Sequence, residues 1–169
     1  MDESLELPQT LDSRLKTIRE CSLETLESIL FNLSLTTRLP AAYLSQLDEV
    51  DRTICFRATL LCYFVTQGTQ VPREMQLKAI VADRKGEDSL IAAGTGSGKT
   101  LPMALNILLD DPSNQLVTIT ISPLKRLQAT QENDFNVRYG IPTVVINEDT
   151  PRDDKWWSVR DLLSICGFI

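Results

Sequence analysis

The stretch from Ala92 to Thr100, A-A-G-T-G-S-G-K-T, constrains this chain more than any other part of it. It follows the form A-x-x-x-x-G-K-T, with Ala93 where the stricter pattern has Gly. Gly94, Gly96 and Gly98 let the backbone turn tightly, so that successive N–H groups point inward at phosphate oxygens. Thr95 and Ser97 fill the remaining loop positions. Lys99 brings a compact ammonium to the β- and γ-phosphates of a nucleotide, and the Thr100 hydroxyl is suited to ligate Mg²⁺. The short apolar run from Ser89 to Ala93 reads as a strand leading into the loop, and a helical pattern through Met103, Leu105, Ile107, Leu108 and Leu109 comes after it. Pro102 falls in the first turn of that helix, where its missing N–H matters least. A loop opening a helix also turns the positive end of the helix dipole toward a bound phosphate.

The rest of the chain divides on texture after Gln70. Residues 1–70 read as helical: Leu11, Leu15 and Ile18 share one stripe, and Leu23, Leu26, Leu30 and Leu33 share another, with Ser22 as the N-cap between them. Asp48 caps a longer helix in which Val50, Ile54, Ala58, Leu61 and Val65 recur at three- and four-residue steps. The simplest reading is a small helical module that packs on the C-terminal part of the chain. Residues 71–169 alternate strands and helices. A helix from about Glu74 to Arg84 ends at Lys85-Gly86, and Val117 to Ile121 is a β-branched run expected for a strand buried on both faces. A helix with Leu124, Leu127 and Phe135 comes next, then a strand at Thr143 to Ile146, then an amphipathic helix through Trp157 and Leu162. The expected class is α/β, a partial parallel sheet of the P-loop kind preceded by a helical N-terminal region.

Charge and composition narrow the chemistry. The net charge is −6, from 17 basic and 23 acidic residues, and it is negative on both sides of Gln70 (6 basic against 10 acidic, then 11 against 13). Contact with nucleic acid must therefore be local and not a broad basic face. Histidine is absent, and Cys21, Cys55, Cys62 and Cys166 show no C-x-x-C pairing, which argues against a zinc site, a disulfide framework and any His-based triad. No stretch reaches the ~18 consecutive apolar residues of a membrane helix. The acidic opening MDESLELP lacks the layout of a secretory signal, so an intracellular protein is expected.

Two flanking segments add detail. In P-R-E-M-Q-L-K-A-I, Pro72 to Ile80, Gln76 offers an amide that both donates and accepts, as reading an adenine edge requires, and Arg73 is placed to lie over a base or phosphate. An isolated Gln on a helix is more commonly just solvated. In T-I-T-I-S-P-L-K-R-L-Q-A-T-Q, Thr118 to Gln131, Ser122 ends a strand, Pro123 stops it, and Lys125 and Arg126 enter a helix, a layout suited to a phosphate contact with a nucleic-acid strand. The two cations read equally well as a solvated pair.

These three segments, in this order and spacing, resemble the first motor domain of superfamily 2 helicases, and more closely the RecQ-type DNA helicases. P-R-E-M-Q-L is similar to the family's glutamine-bearing motif, G-E-D-S-L-I-A-A-G-T-G-S-G-K-T to its motif I, and T-I-S-P-L-K-R-L-Q-A-T-Q to its motif Ia. R-Y-G-I-P-T-V-V-I-N-E-D-T-P-R-D-D-K-W-W also resembles RecQ-like proteins of fungal type. The resemblance covers Val71 to Trp157. It implies a RecA-like domain of an ATP-driven, Mg²⁺-dependent motor that travels 3′ to 5′ on single-stranded DNA, in the nucleus. It also implies that Arg73 and Gln76 bind adenine, that Ala93 to Thr100 bind the phosphates and Mg²⁺, and that Ser122, Pro123, Leu124 and Lys125 touch the DNA backbone.

Hydrolysis in that family also needs a D-E-x-H or D-E-x-D box at the end of a core strand. The only D-E-x-D string is Asp48-Glu49-Val50-Asp51, which precedes the loop and sits where a helix should begin, so acidic capping explains it better. Glu148-Asp149 does come after an apolar strand, but Asn147 stands at the expected Asp position. Only 69 residues follow Thr100, and the expectation is an N-terminal helicase fragment with little hydrolysis or unwinding of its own, its sheet edge in need of a covering protein partner. A nucleotide kinase or GTPase, or an interaction module carrying an idle loop, are the alternatives.

Overall fold

A computed structural model describes residues 7–94, 96–150 and 166–168. The chain separates into two compact units, Met1–Leu109 and Asp110–Ile169. The division falls well beyond residue 70, so the N-terminal helices and the glycine-rich loop share one unit.

That first unit is built around α4 (Glu49–Val65), against which pack α1 (Leu11–Glu20), α2 (Leu23–Asn32), α5 (Glu74–Arg84) and α6 (Thr100–Leu109). A short α3 (Ala41–Leu44) comes after a single 3-10 turn at Thr36–Arg38. The helices start where the capping residues lie. The Thr10 hydroxyl accepts from the Ser13 N–H, the Ser22 hydroxyl from the Thr25 N–H, and the Asp48 carboxylate from the Asp51 N–H at 2.8 Å. Ser22 and Asp48 are thus the caps expected from sequence, and Lys85-Gly86 is the expected stop, with Gly86 at φ 72°.

The stripes on α1 and α2 bury Leu15, Ile18, Leu26, Ile29 and Leu30, whereas Leu11 stays largely exposed. On α4 the inward face is turned by about one residue from expectation. Asp51, Cys55, Phe56, Ala58, Thr59, Leu60, Leu61 and Cys62 are buried, while Val50 lies outside. The rotation comes from having helices on several sides of α4, which makes its buried arc wider than one stripe. It also carries Asp51 inward, where its carboxylate meets the Lys85 ammonium at 2.6 Å. Two arginines tie the helices together through backbone carbonyls: Arg57 donates to Cys21 O at 2.9 Å, and Arg19 donates to Leu108 O at 2.7 Å at the C-terminal end of α6.

The run Ser89 to Ala93, expected as a strand, is irregular instead. A strand exists by pairing, this run has no ladder partner among the described residues, and Leu90 is 96% exposed.

The second unit carries three short parallel strands, β1 (Ile119–Thr120), β2 (Thr143–Val145) and β3 (Cys166–Phe168), in the order β1-β3-β2. Ile119 pairs with Gly167, and Thr143 with Cys166. The expected strand from Val117 to Ile121 shrinks to two residues, and its odd-numbered side chains face solvent, with Ile121 80% exposed. It is not buried on both faces, because nothing described covers its outer side. Helix α7 (Lys125–Asn133), continued by a π turn at Asp134–Arg138, connects β1 to β2. The buried positions along it are Gln128, Gln131 and Phe135, a three- and four-residue stripe one step away from the expected Leu124 and Leu127, which are exposed. The outer edge of β2 is closed by this segment: Asn136 takes the Thr143 N–H and donates to its carbonyl, and Glu132 accepts from the Val145 N–H. The helix expected through Trp157 and Leu162 lies outside the described residues.

Two outcomes are expected. Asp48→Ala removes the α4 cap and should lower unfolding free energy by about 1 kcal/mol in urea titrations, while Asp48→Asn stays within a few tenths and neither changes nucleotide binding. The second concerns pH. Burial, then Asp51, pushes the Cys55 thiol up to about 12, and burial, then Cys55, pushes the Tyr43 phenol up to about 12. Both groups hold their protons more tightly folded than unfolded, so their contribution is complete below about pH 9 and is lost as pH rises toward 12. Urea midpoints should fall over that window, and a Cys55→Ala, Tyr43→Phe variant should show a flatter decline.

Candidate nucleotide and strand-binding sites

The loop from Ala93 to Thr100 joins the irregular run to α6, and Thr95 alone within it lies outside the described residues. Gly96 and Gly98 adopt φ of 79° and 80°, the left-handed region that side-chain-bearing residues avoid, so the turn requires glycine at both positions. The Ser97 N–H donates to Gly94 O at 3.3 Å, closing the turn, and the Leu101 N–H donates to Gly98 O at 3.2 Å where the helix begins. Lys99 folds back along the loop, its ammonium donating to Ala93 O at 2.7 Å and to Gly94 O at 2.8 Å. Those bonds use two of its three N–H groups and hold the charge over the loop backbone.

Gln76 reaches this loop directly. It is only 4% exposed, so the solvated reading fails. Its Oε1 accepts from the Arg73 N–H at 2.7 Å, half of a capping box at the start of α5, and its Nε2 donates to Gly98 O at 2.9 Å. A Cβ added at Gly98 would stand 2.6 Å from that Nε2, so the amide and the loop are in close contact. Arg73 contributes its backbone to this arrangement and leaves its side chain on the surface.

The loop suits a nucleotide triphosphate with a divalent cation on its own chemistry. Among the described residues the Ser97 hydroxyl is buried without a hydrogen-bond partner, and a Cβ at Gly94 or Gly96 would meet nothing within 4 Å. Polyphosphate oxygens would find the loop N–H groups, Ser97 and the remaining Lys99 donor, and Thr100 at the helix start would offer its hydroxyl to Mg²⁺.

In the second unit, Pro123, Leu124, Lys125, Arg126, Leu127 and Thr130 line an open concavity of about 450 Å³. Ser122, just before it in the chain, is buried; its carbonyl accepts from Gln128 Nε2 at 2.8 Å, and its hydroxyl has no partner among the described residues. Gln128 also accepts from Asn147 Nδ2 at 3.1 Å. Lys125 stands on the rim, donating to Asp149 Oδ2 at 2.7 Å and pairing with Glu148. These contacts, Asp149 first and Glu148 next, raise its pKa. Of the four residues expected to touch a strand, Pro123, Leu124 and Lys125 line this concavity, and Ser122 precedes them in the chain, buried. Gln128, which holds the Ser122 carbonyl, and Asn147, which holds Gln128, escaped the sequence reading. The sequence clue was a polar pair, Gln128 and Gln131, on the stripe leading to Phe135.

Comparison with known proteins places these features in a family. The profile of the DEAD/DEAH box helicases matches residues 73–165, more than half of the chain. A mouse protein named "Probable ATP-dependent RNA helicase DDX52" is 36% identical over 91 residues, 52% of this chain and 15% of its own length. "ATP-dependent RNA helicase MAK5" of Eremothecium gossypii is 31% identical over 108 residues, 62% of this chain and 14% of that protein. "ATP-dependent DNA helicase hus2/rqh1" of Schizosaccharomyces pombe is 31% identical over 83 residues, 49% of this chain and 6% of that protein. No solved structure matches. The chain thus spans about 15% of the length of the first of these relatives. Among the described residues no helix is long and apolar enough to cross a membrane. The matched region takes in Gln76, the glycine-rich loop and the Ser122 to Lys125 corner together, and the chain belongs to the DEAD/DEAH box helicase family.

Proposed function

We propose that this chain is the nucleotide-binding part of an ATP-dependent helicase motor that also grips one nucleic-acid strand. The observation that carries the reading is the Gln76 amide, buried against the carbonyl of Gly98 within a loop whose Lys99 and Thr100 have the chemistry for phosphate and Mg²⁺. In this reading Ala93, Gly94, Thr95, Gly96, Ser97 and Gly98 surround the phosphates, Lys99 neutralises them, and Thr100 holds the cation. Bound adenine takes up the hydrogen-bonding capacity Gln76 retains beyond Arg73 and Gly98, with Arg73 beside it. Ser122, Pro123, Leu124 and Lys125 contact the strand backbone, which DNA and RNA share.

The kind of strand is the finer question. The motif sequences resemble RecQ-type DNA helicases, which favours DNA, a 3′ to 5′ direction and a nuclear setting. The relatives named RNA helicases favour RNA. Backbone contacts alone do not choose, and competition between a single-stranded DNA and an RNA 20-mer of the same sequence decides it: at least tenfold stronger competition by one assigns the strand.

Nucleotide binding is checked by titrating a fluorescent ATP analogue with Mg²⁺. Lys99→Ala should weaken saturable binding at least tenfold, the loss of one charge-assisted contact; equal binding by both proteins would sink the reading. Gln76→Ala should lower the preference for ATP over GTP by about tenfold, on the loss of one to two amide hydrogen bonds. Unchanged selectivity would leave Gln76 a purely structural brace.

A further inference from the structure

The acidic pair after β2, Glu148 and Asp149, is not used by the proposed nucleotide and strand contacts, yet its position is closely fixed. Asn147 builds the turn that carries it: the Asp149 N–H donates to Asn147 Oδ1 at 3.0 Å, the Asn147 N–H to Thr150 Oγ1 at 2.9 Å, and the Thr150 N–H to Asn147 O at 3.0 Å. The same Asn147 side chain donates to Gln128, and Gln128 donates to the Ser122 carbonyl. One hydrogen-bonded chain, Asn147–Gln128–Ser122, therefore runs from the acidic turn to the corner where the strand would be gripped. At the end of the turn both carboxylates close on Lys125, which with Arg126 supplies the cations lining that corner and is the first residue of α7. Carboxylate and phosphate oxygens compete for the same ammonium protons. Both acids are more than two-thirds exposed, so they can be displaced without opening a core.

From this geometry we infer that Glu148 and Asp149 form an acidic latch on the strand-binding corner, occupying Lys125 until a nucleic-acid phosphate displaces them. The inference rests on the proposed strand contact and adds its regulation. A latched site binds weakly and in exchange for an internal ion pair, so it releases fewer counterions than a free lysine would. Anything that draws the turn away from Lys125 strengthens the grip.

The test is a cycle of four proteins: the wild type, E148Q/D149N, K125Q and the triple variant. Each binds a fluorescent single-stranded RNA or DNA 20-mer between 50 and 200 mM salt. The turn rests on Asn147 and on backbone N–H groups, so the amide substitutions leave its hydrogen bonds in place; circular dichroism checks that all four proteins fold alike. With Lys125 present, E148Q/D149N should tighten binding about 3- to 10-fold. The slope of log affinity against log salt should also steepen by about 0.7, the value for one more phosphate contact on a single strand. In the K125Q background the same substitutions should change affinity less than twofold. Equal gains in both backgrounds would mean general charge repulsion and overturn the latch. Binding by the wild type with no gain in E148Q/D149N would overturn the latch while leaving the strand contact standing. No binding by any of the four, even with the corner released, would overturn both.

Discussion

The amide of Gln76 joins the start of α5 to the glycine-rich loop, and the local structure depends on that junction. Buried amides need partners on both sides. Gln76 finds one at the first turn of its own helix and the other at the last glycine before Lys99. The carbonyl of Gly98 points at Gln76 because the residue is held at a positive φ, and only a residue without Cβ leaves room for the amide to approach. The start of α5 and the start of α6 are thereby fixed to each other at a point where hydrophobic packing alone would allow sliding. A loop so anchored presents its backbone in one geometry, which is what recognition of a polyphosphate demands.

The N-terminal helices take part in this arrangement. α4 contacts both α5 and α6, so the segment that matches no named motif is the platform on which the loop is mounted. Arg19 reinforces it by donating to a carbonyl at the far end of α6. A boundary at residue 70 looks natural in sequence because texture changes there. Texture reports local composition, whereas compactness reports which faces need each other, and the apolar faces of α4, α5 and α6 cannot be buried separately.

What is legible in the sequence and what is hidden divide along the same physical line. Local signals hold: Ser22 and Asp48 cap helices, Lys85-Gly86 ends one, and three glycines mark the loop. Each of these is settled by a few adjacent atoms. Signals that depend on neighbours fare worse. The apolar run at 89–93 reads as a strand, but strand identity requires a partner, and the described residues provide none. The helix after Pro123 is assigned the wrong buried face because leucines outrank glutamines in any hydropathy pattern. The structure buries Gln128, which has partners in Ser122 and Asn147, together with Gln131, and leaves Leu124 and Leu127 exposed. A buried polar residue with named partners is invisible to periodicity and obvious in three dimensions.

The two acidic strings that invite comparison with a metal-binding box show the same division in electrostatics. A carboxylate's role is set by the donors in reach, not by the letters beside it. Asp48 meets a backbone N–H at the start of α4, and Asp51 of the same string turns inward to a lysine ammonium. Glu148 and Asp149 end an apolar strand, as a cation site would, but Asn147 precedes them and their charge is directed at Lys125. One ammonium held by two carboxylates leaves that cluster at a net −1 in a chain already at −6, which repels a polyanion until the pairing is exchanged for phosphate. Affinity for a strand then depends on the difference between two similar interactions and not on the strength of one. Because carboxylate and phosphate oxygens compete for the same ammonium protons, moving the turn shifts the balance between them.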